Sequence, residues 1–97
     1  NVVKLVFKLD TDNTKQWWGD VAKIHVWNTG TSFDTTWPGN EMVNEGNYTW
    51  SIIVPSELVG KTINYLIHNG NNWQSKDSTI TISANGNTVT GSSIGIN

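Results

Sequence analysis

Residues 23–39 read KIHVWNTGTSFDTTWPG, and the alternation in the first five decides how the chain folds. Ala22, Ile24 and Val26 are small or apolar, whereas Lys23, His25 and Trp27 fall on the opposite parity. That is the period of a half-buried strand, with alternate side chains about 7 Å apart on one face. If Ile24 and Val26 enter a core, an amine, an imidazole and an indole stand in line on the outer face. The loop that follows, from Asn28 to Asn40, is rich in Gly, Thr, Ser and Asp, is too long for a tight hairpin, and contains Trp37-Pro38-Gly39. Loops held on a rigid sheet are frequent carriers of ligand contacts. A third flat ring is thereby offered beside the first two. The pattern predicts an aromatic platform suited to a flat apolar ligand face, such as that of a sugar.

Outward from this stretch the chain reads as a series of short strands. Val3, Leu5, Phe7 and Leu9 alternate with Lys4, Val6 and Lys8, and Thr62–His68 is a further strand. Tyr48–Val54 is expected to place Tyr48, Trp50 and Ile52 on one face, with Thr49, Ser51 and Ile53 on the other. Pro55-Ser56-Glu57 predicts one helical turn ended by Gly60, and Asp10–Gln16 and Asn69–Asn72 read as turns. Thr79–Ser83 and Thr88–Gly91 flank Asn85-Gly86, a pair favoured in two-residue hairpin turns because both central positions need positive φ. Ser92–Asn97 reads as a frayed end or a last edge. Short strands, regular turn signals and no amphipathic helix predict an all-β antiparallel sandwich, immunoglobulin-like, in one domain spanning residues 1–97.

Composition narrows the class of partner. A chain of 97 residues supports one core that buries about 60–65% of the unfolded surface. The formal net charge is −2 and only 14% of residues are charged, so no basic footprint for nucleic acid or anionic membrane exists. Asn, Thr, Ser and Gly fill the surface positions, which suits an uncharged polyhydroxylated ligand and an extracellular setting. Cysteine is absent, which excludes disulfides and thiolate metal sites. No apolar run is long enough for a membrane span. Beginning at Asn1 within a strand-like pattern, the chain reads as a module of a larger polypeptide, with covalently linked neighbours and any export signal lying outside it.

Six tryptophans exceed what so small a core requires, because each buried indole N–H wants a partner. Parity assigns Trp27 and His25 to the outer face, the alternatives being a ring capped by the loop and an ordinary surface histidine. Trp37 is either a binding ring or a loop anchor. Trp50 belongs to the core, and one of Trp17 and Trp18 to the core and the other to a lid or secondary contact; Trp73, in the Asn-rich turn before Gln74, is either a ring exposed beside the platform or a structural one. Catalysis has little to stand on: His25 and His68 are each isolated from a nucleophile, and Asp34 and Glu41 would make a glycosidase pair only in a deeper cleft than this domain can enclose. Asp10-x-Asp12-Asn13 lacks the remainder of a calcium loop. Neither cofactor nor metal is expected.

The motifs together resemble the family 26 carbohydrate-binding modules, starch-binding domains appended to bacterial amylases and related surface proteins. The resemblance runs from about Val3 to Ile82. It rests on two outward rings at i and i+2, Trp37-Pro38-Gly39 about ten residues later, a strand after Gly46-Asn47-Tyr48, an apolar strand ending in His68-Asn69-Gly70, and then Gln74 and Asp77. It implies a non-catalytic β-sandwich, secreted or attached to the cell surface, that binds starch, amylose, amylopectin and maltooligosaccharides. It also implies that His25 and Trp27 supply the paired rings, Trp37 the third, and Lys23 and Gln74 polar contacts, in a monomer. At His25 the family often carries Tyr; the imidazole here has a smaller stacking face and a hydrogen-bond donor. A structural spacer or adhesion module without glucan affinity is the alternative, its tryptophans then packing against neighbouring domains.

Overall fold

Burial along β1 (Val3–Lys8) alternates as its sequence does, with Val3, Leu5 and Phe7 inside and Lys4 and Lys8 in solvent. The computed structural model describes residues 2–71 and 73–95. After β1 come a one-turn helix α1 (Asp12–Lys15), β2 (Lys23–Trp27), β3 (Asn40–Glu41), β4 (Val43–Gly46) and β5 (Thr49–Val54). A 3-10 turn (Ser56–Leu58) precedes β6 (Thr62–His68), β7 (Ser78–Thr81), β8 (Asn87–Thr90) and a last 3-10 turn (Gly91–Ser93). The strands form two four-stranded sheets, ordered β4-β5-β1-β8 and β3-β2-β6-β7. Their facing surfaces make the core of a β-sandwich, where the rings of Phe7 and Tyr65 meet at 5.5 Å from opposite sheets. Every pairing between strands of these sheets is antiparallel except β1 with β8, which run parallel.

The chain changes sheets with little waste. Between β3 and β4 a single residue, Met42, makes the crossing; it is buried, and its N–H donates to the Ala22 carbonyl at 2.8 Å. Between β7 and β8 the chain crosses again, so the hairpin expected around Asn85-Gly86 does not form. The turn is present, with Gly86 at φ +110°, but Ile82 dives into the core just before it and turns the chain toward the other sheet. A local turn signal reports the reversal and not the strand's partner.

Two further expectations are corrected. Tyr48 is not on the apolar face of β5: with Asn47 it forms the turn between Gly46 and Thr49, at φ +60° and +53° respectively. Its ring is exposed, with the Lys15 ammonium 4.9 Å from the ring centroid. Within Asp10–Gln16, α1 replaces an irregular turn because Thr11 and Thr14 cap it reciprocally, each backbone N–H donating to the other's hydroxyl at 3.2 Å. Of the C-terminal stretch, Gly91–Ser93 forms a 3-10 turn, and residues 96–97 lie outside the described part, as does Asn72 of the turn beginning at Asn69. Trp50 is in the core, as its parity required.

Asn87 fastens the late strand to the early one. Its amide donates to the carbonyls of Lys4 at 3.1 Å and Ser83 at 3.0 Å, and its carbonyl accepts the Ser83 N–H at 2.8 Å. The residue is buried, so deleting the side chain strands several backbone groups away from water. Asn87→Ala is expected to cost about 1–3 kcal/mol, read as a lowered urea midpoint with an unchanged slope.

Candidate functional site

The outer face of the β3-β2-β6-β7 sheet gathers the residues of interest. Antiparallel pairing sets Lys23 opposite His68, His25 opposite Leu66, and Trp27 opposite Asn64. Thr79 of β7 lies beyond Asn64, and Glu41 of β3 beyond Lys23. Lys23, His25 and Trp27 are each half-buried, while Leu66, although on the outward parity, is only 4% exposed. A bare apolar residue on that face would be open to water, so side chains roof it. Gln74 forms an isolated antiparallel bridge with His68 and is half-buried at the end of β6.

Trp37 comes from the loop and stands half exposed, at 50%. The Trp37 ring centroid lies 5.3 Å from His25 at 84° and 5.2 Å from His68 at 73°, so the indole is held edge-to-face between two imidazoles. His25 in turn lies 5.3 Å from Trp27 at 29°. Trp27, His25, Trp37 and His68 therefore form a continuous run of rings. Of the residues singled out from sequence, the structure brings Lys23, His25, Trp27 and Trp37 onto one surface, with Gln74 at its margin. Sequence reading missed His68, Leu66, Asn64 and Thr35. His68 shares the outward parity of β6, but only the pairing register with β2 makes it a neighbour of this face.

The loop is rigidly tied. The Thr29 hydroxyl and N–H donate to Asp34 at 2.5 and 2.9 Å, and the Thr31 N–H returns to the Thr29 hydroxyl at 3.1 Å. These donors hold the Asp34 carboxyl below its usual range. Such a group stays anionic and is unsuited to general-acid work with Glu41. The Thr35 N–H then donates to the Val26 carbonyl at 2.9 Å, and the Val26 N–H to the Thr35 hydroxyl at 2.9 Å. Gly39, at φ +109°, lies flat on β2: a Cβ there would collide with the Ile24 carbonyl and approach the His25 nitrogen to 2.7 Å. The Trp37–Pro38 peptide is cis. Gly39→Ala is expected to push the turn off β2, lowering stability by about 1–3 kcal/mol and moving Trp37 away from His25. Thermal unfolding and the Trp37 indole signal in an NMR spectrum would register both changes.

One hydrogen bond assigns the proton on a neutral imidazole. His68 Nδ1 accepts the Gly70 N–H at 2.9 Å, so that ring carries its proton at Nε2, leaving that nitrogen as a donor. His25 Nδ1 shares a 2.8 Å hydrogen bond with Thr35 Oγ1, which also accepts the Val26 N–H and lies 3.4 Å from the Val26 carbonyl. Burial, and then the nearby Lys23 charge, hold the His68 pKa below its ordinary 6.5. The unfolded chain therefore takes up the proton more readily than the folded one, so this contribution to stability is complete above about pH 6.5 and is lost as pH falls below it. Melting temperature is expected to drop between pH 7.5 and 5, and His68→Gln to flatten that part of the profile.

Trp17, Trp18 and Trp73 form a separate cluster. Trp18 and Trp73 are buried, which decides for the structural reading of Trp73, and they meet edge-to-face at 3.9 Å. Trp17 is 40% exposed and stacks on Trp73 at 5.6 Å and 10°. Trp73 is drawn inward because Gln74 takes the outward side of the bridge with His68. Among the described residues no group of three His, Cys, Asp or Glu side chains converges as a metal site would require, and no pocket indents the surface.

No protein-family model and no curated protein matches the sequence. The fold is similar to that of a solved structure, CBMbc (family CBM26) from Eubacterium rectale Amy13K, determined in complex with maltoheptaose. The two share 12% identity at a TM-score of 0.65, over 92% of this chain and 43% of that one. This chain thus spans less than half the length of the structure it resembles. The similarity supports the resemblance read from the motifs at the level of the fold: a β-sandwich of the kind seen in family 26 carbohydrate-binding modules.

Proposed function

We propose that this chain is a non-catalytic module that binds starch and α-1,4-linked maltooligosaccharides on the open face carrying Trp27, His25 and Trp37. The observation that carries the reading is Trp37, a large ring half exposed and held edge-to-face by two imidazoles, one of which also stacks with Trp27, on a face where no pocket forms among the described residues. The sandwich similar to a family 26 module in complex with maltoheptaose supports the same ligand class. Stacked indoles take the C–H faces of successive glucose rings, and the angle between loop and strand rings suits a curling chain. Lys23, Gln74 and the Nε2–H group of His68 donate to hydroxyl or ring oxygens, and His25 adds a further polar contact. An uncharged, amide-rich surrounding leaves such hydrogen bonds as the polar part of recognition.

Each ring covering about 50 Å² of sugar would contribute ~1–1.5 kcal/mol at ~25 cal/mol per Å². Less the cost of association, three rings and a few hydrogen bonds correspond to a dissociation constant on the order of 0.1–1 mM. Weak sites of this kind serve when several are tethered together. The module accordingly belongs, in this reading, to a larger secreted bacterial protein, an amylase-type enzyme or a starch-capture protein, and holds it to its substrate.

Calorimetric titration with maltoheptaose, and with cellohexaose as control, tests the ligand class. A saturable response to the α-linked sugar alone is expected. Trp27→Ala or Trp37→Ala should each weaken it about tenfold, the loss of one ring at ~1–1.5 kcal/mol, with an unchanged melting temperature for Trp37→Ala. Silence with both sugars would transfer the weight to the spacer reading, in which the rings meet a neighbouring domain.

A further inference from the structure

We propose that Trp17 forms a second, separate sugar-stacking site, taking the pyranose face of a neutral α-glucan beyond the platform. The proposal rests on the glucan reading of the main site for its ligand class. Its own observation is the construction of the Trp17 ring, which is exposed yet immobilised. One face lies nearly parallel to Trp73, which Trp18 buttresses edge-on. A ring covered on one side and still 40% exposed has its other face in solvent.

The backbone is held as firmly as the ring. Asn69 Nδ2 donates to the Trp17 carbonyl at 2.9 Å, and Asn69 Oδ1 accepts the Trp73 N–H at 3.2 Å and the Asn71 N–H at 3.0 Å. One amide therefore clamps both halves of the stack. From the other side the Trp17 N–H donates to Thr14 of the capped helix at 3.1 Å. A ring so fixed loses little freedom when a ligand lands on it.

The indole N–H groups of Trp18 and Trp73, like that of Trp50 in the core, are buried with no hydrogen-bond partner among the described residues. Amides stand near Trp17: Asn13 and Gln16, joined by a 3.0 Å hydrogen bond, precede it, and Asn69 and Asn71 lie across the clamp. Amides beside an open indole face match hydroxyls around a C–H surface. In the chain Asn69 directly follows His68, the last ring of the platform.

Two-dimensional NMR of the six indole N–H groups during titration with maltotriose, and with cellotriose as control, tests this. In the Trp27→Ala/Trp37→Ala variant the Trp17 signal should still shift saturably, in the millimolar range. Trp17→Leu keeps Trp73 covered but removes the flat face; in the otherwise intact protein it should leave maltotriose binding at Trp37 unchanged and weaken retention on soluble starch several-fold. Should the double variant fail to fold, the intact protein serves: Trp17 then shifts with its own dissociation constant, distinct from that of Trp37. A static Trp17 signal while Trp37 responds overturns the second site and leaves the platform standing. If neither ring responds, the glucan reading falls and the second site with it.

Discussion

Antiparallel pairing of β2 with β6, Lys23 opposite His68, fixes two surfaces at once. On the inner side it sets Ile24 and Val26 beside Ile67 and Tyr65, closing one wall of the core. By the same parity it sets His25 and Trp27 beside Leu66 and Asn64 outside. A slip of one residue would turn every one of these side chains over, exposing two β-branched residues and burying a lysine. The free energy of core burial therefore enforces the geometry of the outer rings. The arrangement of rings on this face needs no stabilisation of its own in order to be specified.

The loop extends that rigidity beyond the sheet. Thr29 and Asp34 close its first half, Thr35 ties its second half to the Val26 backbone, and Gly39 lies on β2 where no Cβ would fit. Trp37 is thus placed by backbone contacts and needs no packing of its own indole in the core. This separation lets the ring remain half exposed without disturbing the fold. Thr35 links the loop to the ring face most directly, because the hydroxyl that binds the strand also hydrogen-bonds His25 Nδ1.

What could be read from the sequence follows the range of the interaction. β1, β2 and β6 were legible because each alternates within itself, and their inward residues announce a sandwich. Trp27, His25 and Trp37 could be named for the same reason, as parity and a turn motif are local signals. His68 was not legible as a member of the face, since its neighbours depend on a register set by residues more than forty positions away. The β7–β8 link failed similarly: Asn85-Gly86 encodes a turn, whereas burial of Ile82 chooses the sheet that follows. Tyr48 looked like a strand residue because it continues the parity of Trp50 and Ile52. The bulge between Asn44 and Gly46 instead moves it into the turn. Trp17 and Trp18 were separable only once Trp73 was known to be inside.

A two-layer sandwich of this size has principal extents of 34 × 25 × 19 Å, and its interlayer space is already filled. Among the described residues no pocket opens into it, and a ligand bound on an outer face, as proposed, would keep one side in water. Burial of a single face limits the affinity of any one site, however well its rings are placed. The remaining route to tight association is repetition, of rings along a face or of modules along a chain, each added contact acting at the high effective concentration set by the first. In the proposed reading, the rigidity of the braced surface indoles would reduce the ordering cost of each contact, and an open surface would leave a long polymer free to run on to the next site.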